Sequence, residues 1–266
     1  MSTYVKDFMK LVESHAPVSY KEDYDNVGLM VGDDKAELKG ILFSMDTTLD
    51  VIQEAKERGA NLIVSHHPML FIKPTTVTNK TLQGRKIIEL IKNDISVYAA
   101  HTNLDSVKDG MNDTIVRMFD FIDYDIIEQC PFDFDSGIGR IVYLRRPVKL
   151  IDFIEKTKKV LEVQNLRYVG NPGQTIRRVA IINGSGQGYI RQALREGADC
   201  ILTGDTTYHH VQELEEQGIA VVDPGHFFSE KKVFFKIMEK MMKEFSAVHD
   251  VPYFFSEREE DPYKFI

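Results

Sequence analysis

The sequence predicts an α/β fold: two related halves, each with a mainly parallel or mixed sheet. Three observations predict it. Short branched runs such as 61–65 and 95–100 alternate with amphipathic segments of helix length, the pattern of strand, crossover and strand. The block QALREGADCILTGDT (192–206) repeats EAKERGANLIVSHHP (54–68) without a gap, with Ala55/Ala193, Gly59/Gly197, Ala60/Ala198 and Ile63/Ile201 identical. A chain of 266 residues, 43% of them hydrophobic, is long enough to bury a core without covalent staples.

Taken in order, apolar residues at helical spacing over 4–12 predict a first helix that stops near Pro17. GILFSM (40–45) reads as a strand ending at Asp46. The helix expected over Leu49–Arg58 is closed by Gly59, a residue that accepts the left-handed C-cap conformation. Residues 61–65 are short, branched and uninterrupted, as a buried strand is, and His66-His67-Pro68 stands at their end. A helix over 81–92 and a strand over 95–100 follow, the strand running into HTNLD (101–105).

In the second half 140–144, 150–161 and 178–182 read as strand, helix and strand. Then comes the repeated block, after which Ile219-Ala220-Val221-Val222 parallels Ile95-Ser96-Val97-Tyr98. The last helix, 231–245, carries Val233, Phe234, Ile237, Met238, Met241 and Met242, a stripe assigned to core or subunit contact. Residues 120–137, rich in Asp and Phe, read as the connection. The expected domains are therefore 1–124 and 125–266, with 221–266 returning to the first half.

Charge and composition exclude several roles. The balance of 33 Lys+Arg against 41 Asp+Glu gives −8, a field that opposes phosphate backbones, so nucleic acid is not an expected partner. No apolar run approaches the roughly 18 residues of a membrane span, and residues 1–7 do not resemble a signal peptide. Cys130 and Cys200 have no CxxC spacing, which argues against a disulfide scaffold or a thiolate zinc site. A cytoplasmic protein is expected.

Six of the eight histidines fall in four short motifs, at 66–67, 101, 209–210 and 226. Loops after the carboxyl ends of parallel strands are where α/β sheets place their sites, and His66-His67, Asp105 and His226 follow three such strands. Imidazole with carboxylate is the mixed donor set that suits zinc, iron, manganese or nickel. His226 and Glu230, four residues apart, share one helix face. If the backbone at 66–67 is extended, neighbouring side chains point apart. Two ions bridged by Glu230 or Asp105 then accommodate both rings. The other reading leaves these residues as structural histidines satisfied by hydrogen bonds.

YDNVGLMVG (24–32), VSHHP (64–68), AAHTNLD (99–105), TGDTTYH (203–209) and VVDPGHFFSE (221–230), in that order, resemble the Nif-three-like family, also known as GTP cyclohydrolase I type 2 homologues. The resemblance implies a two-domain α/β subunit, two divalent metal ions per subunit in a cleft, and a toroidal homohexamer. By position, the family's ligands fall on His66, His67, Asp105, His226 and Glu230. Zinc, iron, manganese and nickel are not distinguished by such donors. Tyr24 stands where the family often has Trp. The length leaves no room for the domain inserted in longer relatives.

The function expected from this is a metal-dependent hydrolase, acting through a metal-bound hydroxide on a small, nucleotide-like substrate. The alternative is non-enzymatic: metal storage or delivery, or a protein-interaction scaffold. His101, four residues before Asp105, is a candidate proton relay, with a structural histidine as the competing reading. Asp46 and Asp205 end strands and either line the cleft or cap loops. Tyr208, His209 and His210 either touch substrate or begin a solvated helix. NGSGQG (183–188) reads as a tight strand-to-helix turn rather than an anion cradle.

Overall fold

Buried strands and capped helices alternate along the chain in a computed structural model that describes residues 2–266. They gather into two units. The first takes in the chain up to Leu104 and again Phe234–Glu260; the second comprises Asp105–Val233 and Asp261–Ile266.

In the first unit, helix α1 (Val5–His15) opens with the Tyr4 amide donating to Asp7 Oδ2 at 2.8 Å. Strands β1 (Gly28–Val31), β2 (Ile41–Ser44), β3 (Leu62–Ser65) and β4 (Ser96–Ala99) join the C-terminal strand Tyr253–Phe255 in a sheet. Its order is β1, β4, β3, β2, then Tyr253–Phe255. Every pair is parallel except β1 with β4. Strands β2, β3 and β4 are buried at every residue, which is why they read as unbroken apolar runs. Helix α2 (Leu49–Arg58) starts where Thr48 Oγ1 accepts from Val51 N at 3.1 Å, and ends at Gly59 with φ of 70°. Helix α3 (Leu82–Lys92) is capped in the same way by Thr81. The two helices pack on the sheet through Val51, Ile52, Ile63, Leu90 and Val97. After β4, helix α4 (Thr102–Ser106) carries the chain into the second unit.

That unit begins with α5 (Met111–Met118) and a hairpin of β5 (Tyr124–Cys130) and β6 (Asp133–Lys149). Next come α6 (Leu150–Leu161), β7 (Arg167–Val169), β8 (Thr175–Ser185), α7 (Ile190–Arg195), β9 (Cys200–Gly204), α8 (Tyr208–Glu216) and β10 (Ala220–Asp223). Helix α9 (His226–Phe245) begins here, and its later turns belong to the first unit. The sheet order is β5, β6, β8, β9, β10, β7, with β8, β9 and β10 parallel and the other pairs antiparallel. Ile138, Ile141, Ile182, Ile201, Leu214 and Val221 form its core.

Three features differ from the sequence reading. Residues 120–137 are not a plain connection but contain all of β5 and the start of β6. Within β5 only Ile127 and Cys130 are buried, too few to mark a strand. The division falls at Leu104/Asp105 rather than near 124 because α5 is fixed to β6: buried Arg140 donates from Nε to Asp113 Oδ1 at 2.6 Å. Finally, α9 starts at His226, as the shared helix face of His226 and Glu230 requires and ahead of the 231–245 range drawn from its apolar stripe, with Ser229 N donating to Gly225 O at 3.1 Å. Its Met and aromatic stripe is buried, as expected.

The repeat extends to strand register. Leu62 lies opposite Ile41 and Ser96 in the first sheet, and its counterpart Cys200 lies opposite Val179 and Ala220 in the second. At the antiparallel edge, Leu29 faces Tyr98 as Tyr168 faces Val222. Four strands thus share order, direction and register in the two units. The fifth position differs: Tyr253–Phe255 joins β2 in parallel, whereas β6 joins β8 antiparallel.

Candidate functional site

At the end of β3 the amides of His66 and His67 continue the ladder, donating to Ser44 O at 3.1 Å and Met45 O at 2.9 Å. The chain then bends instead of staying extended, so the alternation argument for opposed rings does not hold. The His66 and His67 ring centroids are 5.1 Å apart, and His101 comes within 5.2 Å of His66 and 5.6 Å of His67. One ligand atom from each of the three lies within 4.8 Å of the others.

Each ring is held through Nδ1. In His66, which is fully buried, this nitrogen is 2.8 Å from Ala100 O. A carbonyl only accepts, so Nδ1 carries the proton and Nε2 presents the lone pair. His67 Nδ1 meets Asp46 Oδ1 at 3.1 Å, and His101 Nδ1 meets Asp25 Oδ1 at 2.9 Å. Asp25 is buried and also accepts from Thr102 N at 3.1 Å and Thr102 Oγ1 at 2.5 Å. Burial works to raise its pKa. The bond and charge of His101, with the two Thr102 bonds, outweigh burial and hold the carboxyl well below the usual range.

The second unit repeats the device with more carboxylate. His226 Nδ1 lies 2.8 Å from Asp205 Oδ2, and its Nε2 lies 2.9 Å from Glu230 Oε2, one turn along α9. Glu230 is only 3% exposed, a burial that requires a compensating partner. Gly184 makes room for it: a Cβ there would lie 2.1 Å from Glu230 Oε1. The neighbouring Asn183 donates from Nδ2 to Asp105 Oδ1 at 2.9 Å. Asp105 O in turn accepts from Asn112 Nδ2 at 3.0 Å.

The structure thus groups His66, His67 and His101 in one unit, and places Asp105 with Asn183 and His226 with Glu230 in the other. Asp46 and Asp205, left open between two roles by the sequence, each hold a ring. Tyr208 is 74% exposed at the start of α8, and His210 Nδ1 meets Thr207 Oγ1 at 2.8 Å. Sequence reasoning missed Asp25, Asn183 and Gly184. Asp25 sits in the YDN motif, but nothing local says that its carboxylate crosses to His101. The 183–188 turn does carry a role, as the support of Asp105 and Glu230.

Among the described residues, no helix is long and apolar enough to cross a membrane. A protein of Clostridium perfringens named GTP cyclohydrolase 1 type 2 homolog is 48% identical, covering 98% of this chain and 99% of its own. Its namesake in Clostridium acetobutylicum is 45% identical over the full length of both. Among solved structures, a hypothetical protein of Staphylococcus aureus aligns with TM-score 0.88 at 29% identity over 100% of both chains. Reduced HcgD from Methanocaldococcus jannaschii aligns with TM-score 0.81 at 29% identity, covering 97% of this chain and 99% of that one. A Listeria innocua relative aligns over 367 positions, more than the 266 residues here, so it carries inserted sequence that this chain lacks. With residues 3–262 matching its profile, and with the five motifs in their order, this chain belongs to the Duf34/NIF3 (NGG1p interacting factor 3) family.

Proposed function

We propose that this protein holds two divalent metal ions through His66, His67, Asp105, His226 and Glu230, and acts as a metal-dependent hydrolase on a small, nucleotide-like substrate. One observation carries the reading. Every imidazole in the two donor groups has Nδ1 against an oxygen acceptor: Ala100 O for His66, Asp46 for His67, Asp25 for His101 and Asp205 for His226. Such outer partners fix the ring and its tautomer for metal binding. The nitrogen and oxygen donors fit zinc, iron, manganese or nickel.

Bound there, divalent ions would supply Lewis acidity for hydrolysis and offset part of the acidic excess. The chain's own residues do the rest. Asp46 and Asp205 aim His67 and His226. Asn183 keeps Asp105 in place, and Gly184 leaves space for the Glu230 carboxylate. His101, steadied by Asp25, is the group placed to hold or pass a proton at Nε2. A homohexamer, by resemblance, belongs to the same reading.

The test is metal content of protein purified without added ions, followed by a screen of nucleotides and phosphoesters. Asp46→Asn is expected to weaken metal affinity about 10- to 100-fold, and turnover is expected to track occupancy. Protein that never takes up metal sinks the proposal. Full occupancy without turnover across a broad screen removes the hydrolase and leaves storage or delivery.

A further inference from the structure

The YDN motif does more than steady His101. Its three residues act in three directions. Asp25 holds His101, as described. Asn26 donates from Nδ2 to Leu70 O at 2.8 Å, tying the loop that follows the double histidine to this turn. Tyr24 points its ring outward. It is 63% exposed, and it meets Phe71, itself 51% exposed, with centroids 6.4 Å apart and planes at 59°.

Neither ring is buried in the core. Both are tied by the chain to the histidines, since Tyr24 adjoins the carboxylate that holds His101 and Phe71 comes four residues after His67. The Asn26 bond stops at Leu70, the residue before Phe71, and so fixes the partner of Tyr24. Solvated aromatic faces held in a fixed pair are what a flat π-system stacks on, and such stacking tolerates many rings because each has a π-face.

We propose that Tyr24 and Phe71 form a stacking platform for a planar heteroaromatic ring, the ring portion of the substrate handled by the histidine cluster. This deepens the proposed function and rests on that cluster being a substrate-processing centre. The platform accounts for an aromatic at position 24 and for a loop bound to the YDN turn through Asn26. It also assigns recognition to residues that bind no metal.

The chain has no tryptophan, so Tyr24→Trp introduces a single indole at the platform. The full-length variant is titrated with guanosine 5′-monophosphate and, as the ringless control, ribose 5-phosphate. The expected result is saturable quenching by the nucleotide and none by the sugar phosphate. Adding Phe71→Ala weakens nucleotide binding about ten-fold, with metal content unchanged. Absence of saturable quenching, equal responses to the two probes, or no effect of Phe71→Ala overturns the platform. Tyr24→Ala is followed by sedimentation and by calorimetry with the nucleotide. A changed assembly with unchanged nucleotide affinity makes the pair a subunit contact and also overturns it. Metal is measured in every sample. If the wild type holds none, the metal reading fails while the quenching still decides this one.

Discussion

The two units build the same four-strand pattern and place different chemistry at its ends. After β3 and β4 the first unit presents imidazoles: His66, His67 and His101. After β9 and β10 the second presents Asp205, then His226 and Glu230 on α9. In the aligned blocks His67 corresponds to Asp205: an imidazole held by Asp46 in one unit, and a carboxylate that holds the His226 imidazole in the other. Strand residues are constrained by packing on both faces, whereas loop residues beyond the strand ends are free to diverge. The units also differ in what pins them. The second has Arg140 and Asp113 paired inside it, at 1% and 5% side-chain exposure. The first has Glu54, which accepts from Ser256 Oγ at 2.7 Å and Glu257 N at 3.1 Å and so anchors the C-terminal strand.

The largest expected effect breaks the second unit's pin. Asp113→Ala leaves the Arg140 guanidinium buried without its counter-charge, at a cost of about 3–5 kcal/mol. Urea unfolding of the variant measures this. A loss below about 1 kcal/mol would show that the Gly137 and Gly139 carbonyls, which accept from Arg140 Nη1 at 2.7 and 2.9 Å, suffice.

Next is a pair of glycines, one from each unit. Gly28 has φ of 99° with open space around a Cβ; Gly184 has φ of 61° and the Glu230 carboxylate in the way. Gly28→Ala should cost only backbone strain, about 1–2 kcal/mol. Gly184→Ala should cost more and also displace Glu230, which under the proposed metal reading lowers metal content. Equal melting temperatures and equal metal content in the two variants would mean that the space beside Glu230 does not matter.

The smallest effect tests the first unit's pin through pH. Burial works to raise the Glu54 pKa, and the bonds from Ser256 and the backbone of Glu257 and Arg258, with the Arg58 charge, lower it below its ordinary 4.5. A carboxyl depressed in the folded state contributes stability in full above that ordinary value and loses it as pH falls through the lower native one. Wild-type protein should therefore lose stability across that acid window that Glu54→Gln does not lose. Identical acid-unfolding curves would remove Glu54 as an anchor.

Strands β2, β3 and β4 were legible because complete burial leaves continuous apolar runs. The helix over Leu49–Arg58 was legible because Gly59 marks its end. The hairpin β5–β6 was not, since its ladder comes from pairing rather than from an apolar face of its own. The first turn of α9 was legible only from the four-residue spacing of His226 and Glu230, because the apolar stripe itself begins later, at Val233. At the site, His66, His67, Asp105, His226 and Glu230 stood out by residue type and by motif. Asp25 and Asn183 did not, because a single Asp or Asn in a turn looks the same whether it caps a loop or reaches a residue 76 or 78 positions away.

Sequence by itself determined the α/β class, the repeated helix–strand block and the family, since burial period, turn glycines and motif order are local properties of the chain. Only the tertiary structure decided the matched strand registers, the bend that brings His67 beside His66 and His101, and the partner on each imidazole's Nδ1. Those depend on hydrogen bonds between segments far apart in sequence, and their geometry exists only once the strands have paired.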